Sequence, residues 1–170
     1  MMMFKMLLQM QIYLMNSKII LGVDPGLRKT GFGLIEFKNK IKYLDSGVIV
    51  TAQGTLPTKI KTLFMNMLEI IREYKPHFVS FEKVFININP NSSLLLGQAR
   101  GALIASAVSK NLNIFEYTAL QVKKSVVGKG HANKQQVKLM VTNILNIDSL
   151  LTDDSSDALA TALCCYFREF

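Results

Sequence analysis

Lys18-Ile-Ile-Leu-Gly-Val-Asp24 is the stretch on which the fold turns. It is a short apolar run that stops at an acid and is followed at once by Pro25-Gly26. A run of this length bounded by turn residues reads as a buried strand. Thr30 to Phe37 reads as a second strand and Ile41 to Val50 as a third, with Asn39-Lys40 at the hairpin turn between them. His77-Phe-Val-Ser-Phe-Glu82 repeats the opening pattern, a short strand that ends in an acid, and Asn113 to Tyr117 is a fifth strand.

The intervening segments have helical spacing. From Pro57 to Tyr74, Ile60, Leu63, Phe64, Met67, Leu68 and Ile71 fall on one stripe. Pro57 suits a first helical turn, and Pro76 blocks continuation. Asn89-Pro90-Asn91-Ser92 supplies start chemistry for a helix to about Lys110. Gly97, Gly101 and Ala105, four apart, line one of its faces and permit close backbone approach. Ala119 to Val127 is a short helix, Gly128 to Ala132 a basic loop, and Asn133 to Leu145 another helix. Thr152 or Asp153 caps a last helix to about Phe167. A meander followed by alternating helix and strand predicts an α/β fold, a mixed sheet with helices on its faces.

The chain has 170 residues, and 20 Lys and Arg against 12 Asp and Glu leave a net charge of +8. That charge on a compact domain points to a polyanionic partner. The two cysteines, Cys164 and Cys165, are neighbours, which excludes a disulfide framework and a structural zinc site and fits a reducing cytoplasm. Residues 1–16 are Met-rich and apolar but too short to span a bilayer, which takes roughly 20 residues. They lack a signal-peptide cleavage site and read as an extension from an upstream start. Residues 17–170 read as a single domain.

The acids carry the chemistry. Asp24 and Glu82 close two strands, and in open α/β sheets sites lie beyond the carboxyl ends of strands. Asp154 and Asp157 are spaced i, i+3 in the first turn of the last helix, so they share a face. Singly, each acid is an ordinary turn, cap or surface residue. Converging on one crevice they repel one another, and such a cluster protonates or binds a cation. Oxygen ligands without His or Cys favour Mg²⁺ or Mn²⁺. Two such ions roughly 4 Å apart activate water and stabilise the leaving oxygen in phosphodiester cleavage. The glycines of Gly22-Val-Asp24-Pro-Gly26 and Thr30-Gly31-Phe-Gly33 would let a phosphate backbone come close. They match neither a Walker A loop nor a Rossmann fingerprint. A strand-turn-strand with an Asp also occurs in actin-like ATPases and sugar kinases, so a nucleotide-dependent phosphotransferase is a rival reading.

Five stretches in order resemble the RuvC family of bacterial Holliday junction resolvases. They are Ile-Leu-Gly-Val-Asp-Pro-Gly (20–26) with Thr-Gly-Phe-Gly (30–33), Phe-Glu-Lys-Val-Phe (81–85), Leu-Gly-Gln-Ala-Arg-Gly (96–101), Phe-Glu-Tyr with Gln-Val-Lys-Lys-Ser-Val-Val-Gly (115–128), and Asp-Ser-Ser-Asp-Ala-Leu-Ala (154–160). The resemblance implies a ribonuclease H-like, retroviral integrase-like fold with a mixed five-stranded sheet flanked by helices. It implies that Asp24, Glu82, Asp154 and Asp157 are catalytic and hold two Mg²⁺ ions per site, with Mn²⁺ a substitute. Water then attacks a phosphodiester near the crossover and leaves a 5′-phosphate and a 3′-hydroxyl. Lys123 and Lys134 match lysines beside the scissile strand, where a cation stabilises transition-state charge. Phe85 matches an aromatic that meets junction bases. Arg100 holds phosphate or supports a dimer. Lys124, Lys129 and His131 are further candidate DNA contacts. The family acts as a homodimer on four-way DNA junctions, cooperates with the RuvA–RuvB branch-migration machine, and serves recombination and repair without a membrane. A non-catalytic, structure-specific DNA-binding relative is the alternative, but it would be expected to lack one or more of the four acids.

Overall fold

A computed structural model describes residues 17–51, 53–83 and 89–170. Five strands form one sheet in the order β3-β2-β1-β4-β5: β1 Lys18–Asp24, β2 Lys29–Phe37, β3 Ile41–Val50, β4 Phe78–Glu82 and β5 Asn113–Tyr117. The meander β1-β2-β3 is antiparallel, whereas β4 and β5 run parallel to β1. Five helices cover the sheet: α1 Leu56–Tyr74, α2 Pro90–Val108, α3 Ala119–Val127, α4 Lys134–Leu145 and α5 Asp153–Glu169. The parallel pairs need crossovers, and α1 and α2 supply them. The mixed sheet expected from the element order is the one observed.

Helix ends follow local chemistry. Pro57 lies in the first turn of α1, and Lys75, left-handed at φ 47°, closes it before Pro76. Capping boxes start α3 (Thr118 with Gln121) and α4 (Asn133 with Gln136). Thr152, not Asp153, caps α5, with its hydroxyl accepting from Ser155 N–H at 3.1 Å. α2 stops at Val108, short of Lys110, and Asn111 then turns left-handed at φ 55°.

Two cores lie on the two faces of the sheet. Ile20 and Phe78 pack with α3, α4 and α5 on one face. Leu21, Val23, Val79 and Phe81 pack with α1 and α2 on the other. Side chains alternate along a strand. Gly22 and Asp24 therefore share the face of Ile20, and Ser80 and Glu82 that of Phe78. Ser80 donates to Thr161 O of α5 at 3.2 Å, which fixes this face against that helix.

The close seat of α5 explains the glycines. A Cβ on Gly22 would lie 2.1 Å from Ala158 O, and one on Gly31 2.0 Å from Asp154 O. These glycines make room for the last helix rather than for a phosphate backbone, which corrects the reading made from sequence. The stripe of Gly97, Gly101 and Ala105 does not pack on the sheet either. All three are exposed, and nothing among the described residues lies within 4 Å of a Cβ built on Gly97 or Gly101. Cys164 and Cys165 are buried in α5. His77 is structural, since its Nδ1 accepts from Ile19 N–H at 3.1 Å. Among the described residues no helix is long and apolar enough to cross a membrane.

Candidate active site

Strand register brings the first two acids together. Val23 of β1 pairs with Phe81 of β4, so Asp24 and Glu82 are the next positions along two adjacent parallel strands. Both face α5, whose first two turns carry Asp154 and Asp157. A crevice of about 230 Å³ opens there, walled by Asp24, Glu82, Lys123, Lys134 and Asp157 with Ala119, Val122, Val137 and Ala160. α3 and α4 form its other side. Ala119, Val122 and Lys123 are spaced i, i+3, i+4, as are Lys134 and Val137 at i, i+3, so each helix turns one stripe to the crevice.

The electrostatics are those of crowded carboxylates. Asp24 is pushed from 3.8 up to about 7, first by burial and then by the charges of Asp157, Glu82 and Asp154, with Lys134 opposing. Glu82 is also raised, by burial and then Asp157, while Lys123 and Lys134 pull it down. Lys134 Nζ donates to Asp157 Oδ2 at 3.2 Å and is held more firmly protonated by that contact. Asp154 does not wall the crevice. Its main chain lies against Gly31, and its charge acts on Asp24. Asp153 turns away to Lys138, with Nζ to Oδ1 at 3.0 Å. Of the three acids at the start of α5, Asp157 walls the crevice and Asp153 is the one paired to Lys138.

The donor set fits a hard divalent cation: it is oxygen only, and burial together with the neighbouring acids raises the Asp24 carboxyl to about 7. It is an open arrangement. Among the described residues no three His, Cys, Asp or Glu side chains form a ready ligand cage. The carboxylates repel one another, and Lys134 is the cation that Asp157 holds.

Other candidates lie elsewhere. Lys124, Lys129 and His131 are exposed but not among the crevice walls. Arg100 is half-buried and forms an ion pair with Glu116, tying α2 to β5. Phe85 lies outside the described residues. The apolar walls Ala119, Val122, Val137 and Ala160 are site residues that the sequence reading missed; the i, i+3 and i+4 spacing within Ala119, Val122 and Lys123, from Lys134 to Val137 and from Asp157 to Ala160 is the signal that finds them.

The profile of the family Crossover junction endodeoxyribonuclease RuvC matches residues 20–165. The chain belongs to the RuvC family. The RuvC of Nitrosomonas eutropha is 54% identical over 147 residues, which is 85% of this chain and 82% of that one. The RuvC of Herminiimonas arsenicoxydans is 52% identical over 146 residues, 85% of this chain and 81% of that one. The structure of Thermus thermophilus RuvC in complex with Holliday junction substrate superposes with a TM-score of 0.83 at 29% identity, covering 88% of this chain and 93% of that one. The yeast mitochondrial Holliday junction resolvase, at 14% identity and a TM-score of 0.65, shares the fold. That fold is ribonuclease H-like, as the motifs implied, and the RuvC stretches lie on β1, β2, β4, α2, β5, α3 and α5.

Proposed function

We propose that this RuvC chain is a structure-selective endonuclease that resolves four-way DNA junctions by hydrolysing phosphodiesters in recombination and repair. One observation carries the reading. Carboxylates from two parallel strand ends and from α5 share a single field, with Lys123 and Lys134 beside them.

Asp24, Glu82, Asp154 and Asp157 would hold Mg²⁺, two ions per site by family resemblance, with Mn²⁺ a substitute. When bound, the ions supply water activation and stabilise the leaving oxygen. The chain's own groups do the rest. Asp24 would release to solvent the proton that burial and its acidic neighbours keep on its carboxyl. Lys123 and Lys134 offset the acids, which alone would repel a phosphate, and hold the scissile strand over the crevice. The apolar walls from α3 and α4 lower the local dielectric and strengthen both effects. Phe85, Arg100, Lys124, Lys129 and His131 extend the DNA surface in this reading. The working unit is a homodimer, because a junction with near two-fold symmetry calls for two sites related by a two-fold axis. The exposed Gly97, Gly101 and Ala105 face of α2 is our candidate for that contact. Cooperation with RuvA–RuvB and a cytoplasmic location follow from family resemblance.

A nicking assay on a synthetic four-way junction, with linear duplex as control, in Mg²⁺ and in EDTA, tests the reading. Paired nicks on the junction alone and only with the ion are expected. Asp24→Asn should bind the junction and not cut it. Cutting by that variant at the wild-type rate would refute the site.

A further inference from the structure

The crevice occupies one edge of the sheet, where β1 and β4 end. The opposite edge, where those strands begin, has a second charged feature. Arg72 and Lys75 close α1 just before β4, and Lys110 follows α2 just before β5. Between them lies a groove of about 540 Å³ with Met65, Leu68 and Leu112 among its walls and Glu69 as its one acid. Met65 is 47% exposed. Arg72, Lys75 and Lys110 are exposed, and among the described residues none of them has an ion pair.

Helix dipoles account for cations at the ends of α1 and α2. They do not account for an open apolar floor between those cations. A bare phosphate backbone would answer the charges and leave Met65, Leu68 and Leu112 in water. A purely apolar partner would cover the floor and strip water from three cations without pairing them, which is costly. The complement of both features is a segment with carboxylates beside an apolar side chain. We propose that this groove docks an acidic peptide segment of a partner protein. Its apolar side chain sits on Met65, Leu68 and Leu112, and its carboxylates pair with Arg72, Lys75 and Lys110. The groove lies at the edge away from the crevice, so the segment and a junction bind together. The proposal does not rest on the nuclease reading, and either can fail alone.

The test is amide and methyl NMR of the full chain titrated with the peptide acetyl-Asp-Asp-Glu-Asp-Leu-Phe. The controls are the same peptide with two Ser in place of Leu-Phe, and a short linear DNA duplex. The expected result is saturable shifts centred on Met65, Leu68 and Leu112, with a Kd below about 1 mM. Arg72→Glu with Lys110→Glu should weaken binding about tenfold or more, as should the Ser control, and Lys75→Glu alone should weaken it by a smaller factor. These exposed positions stand outside the crevice, so junction nicking should stay within about twofold, which also shows that the variants fold. The proposal is overturned by an absence of shifts at about 1 mM peptide. It is equally overturned by binding that survives charge reversal or loss of the apolar pair. Displacement of the peptide from these residues by the duplex would make the groove a nucleic-acid surface instead.

Discussion

Asp24 and Lys134 illustrate at the residue scale how function costs stability. Asp24 titrates near 7 in the folded protein instead of 3.8, because burial and three other acids oppose its charge. A carboxyl with a raised folded pKa holds its proton more tightly than the unfolded chain does. Its contribution to stability is therefore fully present below about pH 4 and is lost as pH rises through about 7. The shift corresponds to roughly 4 kcal/mol at most. Denaturant melts in EDTA should thus show wild-type stability declining from pH 5 to 8. Asp24→Asn should remove most of that decline, be the more stable protein at pH 8, and cut nothing. Parallel pH profiles for the two proteins would contradict the burial argument. The same proton makes cation binding pH-dependent, since an entering ion must expel it. Mn²⁺ titrations should tighten from pH 6 to pH 8, and calorimetry in buffers of different ionisation enthalpy should register proton release. Lys134 works in the opposite direction. It supplies the positive charge beside Asp157, so Lys134→Met should slow nicking yet tighten Mn²⁺ binding by about threefold to tenfold, a range that allows for the exposure of the ammonium. Weaker Mn²⁺ binding in that variant would show that the lysine orients the ligands rather than competing with the ion.

At the element scale the site depends on how deeply α5 sits in the sheet. Gly22 and Gly31 admit its backbone at 2.1 and 2.0 Å from the Cβ they lack. Gly31→Ala must push α5 outward and carry Asp154 and Asp157 away from Asp24. It should destabilise the fold by about 1–3 kcal/mol and depress nicking even where the protein remains folded. Gly101→Ala is the matched control. Nothing among the described residues lies within 4 Å of its Cβ, and alanine favours a helix by about 1 kcal/mol over glycine, so melts should show a neutral or slightly raised stability. Equal losses in the two variants would mean that the seat of α5 is not what Gly31→Ala disturbs. These glycines also mark how far the sequence can be read. Periodicity and acid-terminated strands were enough to find β1 and β4 and their closing acids, because a period of two needs no tertiary information; that the two strands are parallel neighbours, so that Asp24 and Glu82 share a face, comes from the sheet pairing. The partner of a glycine is a tertiary fact. Gly22 and Gly31 next to an acid looked like room for phosphate, whereas the space is filled by α5. The same limit hid the register shift between Leu34 and Ile35 in the β2–β3 pair and the ion pair of Arg100 with Glu116, since neither leaves a local mark. The ion pair of Asp153 with Lys138 of α4 is likewise a tertiary contact with no local mark.

At the scale of the molecule, three separate features lie at the two ends of the central strands and on the outer face of α2. The crevice holds the acids, the opposite edge holds the basic, apolar-floored groove, and the Gly97, Gly101 and Ala105 stripe lies on an open helix face. Small residues at this spacing let a second helix come close, and a two-fold contact there would set two crevices in fixed relation. On the proposed reading each crevice cuts one strand with its own groups, so dimerisation should govern the pairing of cuts rather than the chemistry. Gly101→Trp separates the two. Gly101 is exposed and nothing among the described residues lies within 4 Å of a Cβ built there, so circular dichroism and the melting temperature should match wild type. Sedimentation should show a monomer where wild type is a dimer. On a cruciform plasmid the wild type should release linear product by nicking both strands within one encounter. The monomeric variant should yield mostly single nicks, with linear product appearing only after a second, independent binding event and rising with protein concentration. A variant that is monomeric and still linearises at the wild-type rate would show that pairing comes from the junction itself. One that stays dimeric would move the interface off this stripe, to another surface of the same chain.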